Sequence, residues 1–334
     1  MDFQLIQTTA DFEGLAIEWN TLLTESISSS PFLRHEYLRV WWETRGGGEW
    51  TGGELAIVTA REGKKLTGIA PLFLHEERLL LLGCIEISDL LDIIVRPTDL
   101  PVFSTGLLDF LARSMPGGWN LLDLYNLPEA SPTIPTLKAV TGKRGWTYSQ
   151  ETLQPSPYIP LPGDFEAYLA GIDKKQRHEV RRKMRRAEEY ENHVRWYIVE
   201  DEAMLDAEID AFMALMANDP SKANFLTDAM RKQFHASVRA AYRNGWLQLA
   251  FVEVDGVKAA GYLNFDYDNR IWVYNSGIDR RFMDISPGWV LLAHLLEWAN
   301  RNKRCEFDFM RGDEDYKYRF GGINRFVVRV TIKP

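Results

Sequence analysis

The chain has 334 residues, 46% of them apolar and 26% charged, a balance that suits soluble globular structure with length for two domains. Its formal net charge of −8 excludes generic polyanion binding, which is driven by phosphate neutralisation, so any polyanion contact has to be local. Cys84 and Cys305 give neither a disulfide framework nor a metal-ligand spacing, and the N-terminus lacks the basic start and apolar core of a signal peptide; a cytoplasmic, metal-free protein is expected.

In chain order, Ser28 to Pro31 reads as a helix start and 32–42 carries apolar residues at helical spacing. The period then changes. Residues 54–61 and 66–74, joined by a polar loop containing Gly63, predict a β-hairpin, and 79–83 and 90–95 predict two further strands. The apolar region 79–95 is broken by Glu86, Asp89 and Asp92, which argues against a membrane span. A helix over 107–113, a strand over 120–126 and a helix over 132–143 follow. Residues 154–163 are proline-rich and predict an extended crossover between a domain at 1–153 and another at 164–334.

Helical patterns occupy 165–191, 206–217 and 227–243, and after them the order of the first half returns: a hairpin over 247–267 with Gly256, a strand over 270–278, a helix over 287–300 and a strand over 305–310. LAIV at 55–58 matches LAFV at 249–252, Gly63 matches Gly256, Gly68 matches Gly261, and LDLYN at 122–126 matches FDFMR at 307–311. Landmarks that keep their order over so long a period predict two related α/β (α+β) domains rather than a solenoid.

No nucleophile elbow, Walker loop, dinucleotide fingerprint or H-E-x-x-H is present, so chemistry by positioning and electrostatics is what remains. Three segments could carry it. In the loop 275–289, Ser286 can cap a helix, Pro287 suits its first turn and Gly288 would let a ligand approach the backbone, with Arg280 and Arg281 just upstream; this describes a phosphate cradle or a plain N-cap. The run 174–186 holds eight Lys or Arg against one Glu, and reads either as a clamp for a phosphorylated donor, a tRNA or an acidic carrier, or as a face paired with acids of the first domain. Beyond the strand at 305–310, Asp308 alternates with Phe307 and Phe309, Arg311 and Asp313 straddle Gly312, and Tyr316 and Lys317 arrive together, as a reactive constellation or as a salt-bridged turn.

The segments FDFMRGDEDYKYRFGG (307–322), SPGWVLLAHLLEWA (286–299) and KKQRHEVRRKMRR (174–186), with PFLRHEYLRVWWE (31–43) and SDLLD (88–92), resemble the CelD-like N-acyltransferases associated with cellulose and envelope polysaccharide biosynthesis. That group belongs to the GNAT superfamily and is similar to the Fem-type peptidoglycan aminoacyltransferases. The resemblance implies two tandem GNAT-like domains, each a mixed, mainly antiparallel sheet flanked by helices. It further implies acyl transfer to an amine from acyl-CoA or an acyl carrier, or from aminoacyl-tRNA as in the Fem branch. The donor would wedge between the strands 270–278 and 305–311, with its diphosphate at Ser286, Pro287 and Gly288, and the Fem motif F-K-x-G-F-G places Lys317 on the lysine implicated there in catalysis. Backbone N–H groups near Asn275 and Gly277, with Lys317, would hold the oxyanion; Tyr316 would protonate the leaving group; Asp89 and Asp92, in a groove between the domains, would hold the acceptor's ammonium or hydroxyls. Arg319 departs from the Fem motif, and the usual GNAT donor loop is not matched around Arg281. A non-catalytic GNAT-like scaffold in polysaccharide assembly is the competing reading.

Overall fold

A computed structural model describes residues 1–115 and 118–334. Two compact units form, one from 1–154 together with 325–334, the other from 155–324. The expected grouping of all of 164–334 in one domain is thus corrected at its end. The terminal strand Phe326–Lys333 pairs antiparallel with Leu121–Pro128 of the first unit. It buries Val327, Val330 and Ile332 there, and its Arg329 donates to the fully buried Asp123 at 2.7 and 2.9 Å while Arg78 does so at 2.5 Å. A carboxylate at that depth is costly unless paired, so Asp123 needs both arginines. The crossover 154–163 is corrected as well: it contains the strand Tyr158–Pro160, antiparallel to Glu306–Asp308.

The first unit carries two sheets. A four-stranded antiparallel sheet runs Asp2–Ile6, Ile57–Glu62, Lys65–Ala70, Ile94–Val95, and a six-stranded mixed sheet runs Glu54–Leu55, Leu72–His75, Arg78–Leu81, Leu121–Pro128, Phe326–Lys333, Thr147–Pro155. The expected strands 54–61 and 66–74 are therefore each cut in two, at Ala56 and at Pro71. Pro71 has no N–H to give a ladder, and its carbonyl accepts instead from Leu82 N at 2.7 Å, where the chain passes from one sheet to the other.

In the second unit the sheet order is Tyr158–Pro160, Glu306–Asp308, Arg270–Ile278, Val257–Tyr267, Leu247–Val254, Val194–Ile198, mixed because Arg270–Ile278 and Glu306–Asp308 are parallel. One face packs on the helices Phe165–Gly171, Lys174–Glu188 and Pro287–Arg301, with Val252, Tyr262, Ile271, Leu292, Leu296 and Phe307 in one buried cluster. The other receives Leu205–Met216 and Asp228–Arg243. The expected helix over 165–191 breaks at Ile172, because Asp173 turns its carboxylate onto the N–H groups of Lys175 and Gln176 and starts a new helix.

The two hairpins expected to correspond do so in detail. Ile57–Glu62 with Lys65–Ala70 and Leu247–Val254 with Val257–Tyr267 each turn through two residues, and each slips register between the third- and second-last residues before the turn, at Ala60/Arg61 and Val252/Glu253. Likewise Leu121–Pro128 and Glu306–Asp308 each have one parallel and one antiparallel neighbour.

Candidate active site in the second unit

The strands expected to diverge do so after three residue pairs. Arg270, Ile271 and Trp272 face Glu306, Phe307 and Asp308, and no pairing with that neighbour continues along Arg270–Ile278. The cause lies on the other edge. Leu263 faces Asn275 but Asn264 faces Val273, so Tyr274 is an extra residue, a bulge held by ring contacts with Phe234 and Phe265 at 5.7 and 5.2 Å. A bulge bends its strand. Beyond Asp308 the chain leaves the Arg270–Ile278 ladder through Met310 at φ 59° and Gly312 at φ 114°, with Phe309 N and Gly312 N donating to Pro157 O and Pro155 O.

Two cavities of about 240 Å³ each open at the splayed end. The first, toward Pro287–Arg301, is walled mainly by Tyr262, Ile278, Trp289, Leu292, Tyr316 and Phe320. Lys183 stands at it, its ammonium 4.1 Å over the Trp289 ring and 3.7 Å from Glu179, and burial lowers its pKa. Tyr262 and Tyr316 reach it without a hydrogen bond to another described residue. Burial, with the Glu314 carboxylate nearby, pushes both phenols above the ordinary tyrosine range, so both stay protonated and can donate. The second cavity lies toward Leu205–Met216 and is walled by Asn218, Asp219, Lys222, Ser276, Arg280 and Met283 among others. Lys222, from the short helix Pro220–Phe225, donates to Asn275 Oδ1 at 2.9 Å and Ser276 O at 2.6 Å, and burial lowers its pKa.

The residues singled out from the sequence separate into those at the cavities and those elsewhere. Ser286, Pro287, Gly288 and Tyr316 line the first cavity; Gly277 and Arg280 line the second. Ser286 does not cap with its side chain. It sits at φ 53°, and its carbonyl receives Trp289 N and Val290 N. Since Pro287 has no N–H, the helix start offers little beyond Gly288 N to an anion, and Gly288 itself is explained by packing: a Cβ there would come within 2.6 Å of Ile278 Cδ1. Arg281 turns back onto Asp279 at 2.6 Å and is mostly exposed. Of the groups expected to hold a diphosphate, Ser286 and Gly288 thus serve the helix start and its packing and Arg281 an ion pair, all beside an apolar cavity.

Lys317 is also placed differently from expectation. It is 2% exposed, and its ammonium donates to Met310 O, Arg311 O and Gly312 O at 3.2, 2.7 and 3.2 Å while pairing with Glu314 at 2.9 Å. It ties the exit loop together and lines neither cavity. Asp308 is fully buried and accepts from Met310 N at 2.8 Å; Arg311 is half-buried and Asp313 exposed, both outside the cavity walls. The expected oxyanion donors are partly committed, since Ser276 N donates to Asn275 Oδ1 at 2.9 Å. Residues the sequence reading missed are Tyr262, Lys222 and Glu314; the first sits beside the strand glycine Gly261, and the second lies in a helix of six residues that carries no periodic signal.

In the first unit Asp89 is half-buried, and Asp92 is fully buried. Asp92 accepts from Ser28 and Ser131 hydroxyls at 2.5 Å, Thr133 Oγ1 at 2.7 Å and Ile93 N at 2.8 Å, which corrects its expected role as an acceptor-binding group to one of fastening the 28–30, 92–93 and 131–133 segments. Burial raises its pKa in spite of these donors. The folded state then holds the proton more readily than the unfolded chain, so this group favours folding most at low pH and less as pH rises from the unfolded value through the raised one. Asp92→Asn, whose amide can donate to the two serine hydroxyls, is expected to flatten that part of a thermal-melt pH profile. Asp92→Ala strands buried donors and should cost about 3 kcal/mol, read from chemical denaturation.

Residues 174–318 match the acetyltransferase (GNAT) domain family. FemX has 10% identity and a TM-score of 0.68, with 99% of this chain and 97% of that one covered. L-PGS from Bacillus licheniformis has 11% identity and a TM-score of 0.59 over 94% and 90%, and the tandem GNAT protein from the clavulanic acid biosynthesis pathway has 12% and 0.52 over 98% of each chain. The fold is thus GNAT-like, of the tandem kind, with mixed sheets flanked by helices. Among curated proteins none matches the sequence. Among the described residues, no helix is long and apolar enough to cross a membrane.

Proposed function

We propose that the second unit is an N-acyltransferase in which an amine attacks a thioester carbonyl directly at the splayed end of Arg270–Ile278. The observation that carries this reading is the opening after Trp272 and Asp308, which leads into an apolar cavity overlooked by two protonated phenols. The acyl group and arm lie against Ile278, Leu292 and Trp289. As the N–C bond forms, Tyr262 and Tyr316 donate hydrogen bonds to the carbonyl oxygen; the C–S bond then breaks, and the proton shed by the amine passes to the thiolate through solvent. A phenol held above its ordinary pKa suits the first task better than protonating a thiolate, which moves Tyr316 from the leaving-group acid expected of it to an oxyanion donor. The donor is acyl-CoA or an acyl carrier, and the acceptor an amine of a sugar, amino acid or envelope precursor.

Free-thiol release from acetyl-CoA and from acylated carrier protein, with a panel of amines, tests the reading; no release and no thermal stabilisation by any donor overturns it. Tyr262→Phe and Tyr316→Phe should each lower kcat on the order of a hundredfold with melting unchanged.

A second reading is favoured by one feature: Lys174, Lys175, Arg181, Arg182, Arg185 and Arg186 are exposed on Lys174–Glu188, the helix that brings Lys183 to the first cavity. An aminoacyl-tRNA donor would find its phosphate contacts there, and its binding would weaken steeply with salt.

A further inference from the structure

The cavity on the Leu205–Met216 side has no part in holding a donor on the other face, yet it shares Ser276, Ile278 and Met283 with the donor cavity. Whatever occupies it reaches the same reacting centre from the opposite face. Its walls carry two cations, Lys222 and Arg280, against one carboxylate, Asp219. Two of the three Lys222 ammonium hydrogens go to Asn275 Oδ1 and Ser276 O, which leaves one for a ligand. Arg280 is exposed at the rim and forms no ion pair among the described residues. The acid in the wall, Asp219, is committed to its own helix: Oδ1 accepts from Ser221 N at 2.9 Å, Ser221 Oγ at 2.5 Å and Lys222 N at 3.3 Å. Glu314, whose charge is also felt by Lys222, Tyr262 and Tyr316, is mostly exposed and pairs with Lys317 through Oε2 at 2.9 Å, which leaves its other oxygen for a ligand.

We infer that this cavity binds the acceptor, and that the acceptor is an amine carrying an anionic group, its carboxylate or phosphate held by Lys222 and Arg280 and its amine directed to Glu314 beside the two phenols. The inference rests on the acyltransferase reading and adds the class of acceptor. Amines without an anion leave the third Lys222 hydrogen and Arg280 without partners and bind correspondingly less well.

Calorimetric titration of the full chain with paired probes tests it: glycine against glycinamide, and glucosamine 6-phosphate against glucosamine. At least one anionic member should bind about tenfold tighter than its neutral partner, the pair that shows it identifying carboxylate or phosphate as the anion. Arg280→Ala, at an exposed position, should reduce that preference without lowering the melting temperature, and Lys222→Met should abolish it with Lys222→Arg restoring part. Equal binding of charged and neutral probes, or a preference untouched by both Arg280→Ala and Lys222→Met, overturns the inference. Thermal stabilisation by acetyl-CoA or an acylated carrier is measured alongside: if a donor stabilises the chain while the paired probes bind alike, only the acceptor assignment fails, and if no donor does, the acyltransferase reading fails first.

Discussion

Lys317→Met is expected to lower the melting temperature of the second unit by about 6–12 °C, the equivalent of about 3 kcal/mol, and to lose activity only as far as folding is lost. The wild-type ammonium gathers three carbonyls, those of Met310, Arg311 and Gly312, at a position 2% exposed. A thioether of similar length fills the volume but supplies no donor, so carbonyls that water cannot easily reach are left unsatisfied. The Glu314 partner adds little, since that carboxylate is mostly exposed and screened. A melt recorded with the wild-type midpoint, together with loss of turnover, would return Lys317 to the reacting centre and refute the fastening role. The loop it ties carries Tyr316 into the first cavity, so a lysine can be indispensable to such a site without touching substrate.

Gly277→Ala should be at least as damaging. A Cβ there would stand 2.5 Å from Met216 N and 2.6 Å from Leu215 C, which are backbone atoms of the Leu205–Met216 helix and cannot swing aside. Opposite it on the neighbouring strand, Gly261 leaves room for the rings of Phe251 and Phe212. The pair of glycines lets the helix sit directly on the sheet beside the bulge at Tyr274. Overpacking of this kind costs about 3 kcal/mol. Gly142→Ala serves as the contrast in the same urea titrations: nothing lies within 4 Å of a Cβ at that helical position, and a gain of about 0.5–1 kcal/mol is expected. If Gly277→Ala unfolds at the wild-type midpoint, the helix does not rest on this strand as closely as those distances require.

The division of the fold was legible where a local rule governs it. The hairpins announced themselves by alternating apolar residues and turn glycines, and their duplication, extended here to matching register slips, followed from landmarks in a common order. The helix at Pro287–Arg301 began where Ser286 and Pro287 said it would, although Ser286 reaches that position with a left-handed backbone rather than by a side-chain cap. What misled were residues whose chemistry suits two environments equally. Asp92 and Lys317 are charged and flank strand ends, which describes a ligand-binding group and a buried fastener alike; only the donors around the one and the carbonyls around the other separate these roles.

The sequence by itself determined most of the segments that form strands and helices and that the chain repeats an α/β plan, because hydrophobic period and turn chemistry act over a few residues. Only the tertiary structure decided that the last strand joins the first unit, that Tyr262 and Lys222 reach the opening, and that Lys317 does not. These depend on contacts between residues far apart in the chain, where partner and depth, rather than residue type, set whether a charge is buried in a fold or offered to a ligand.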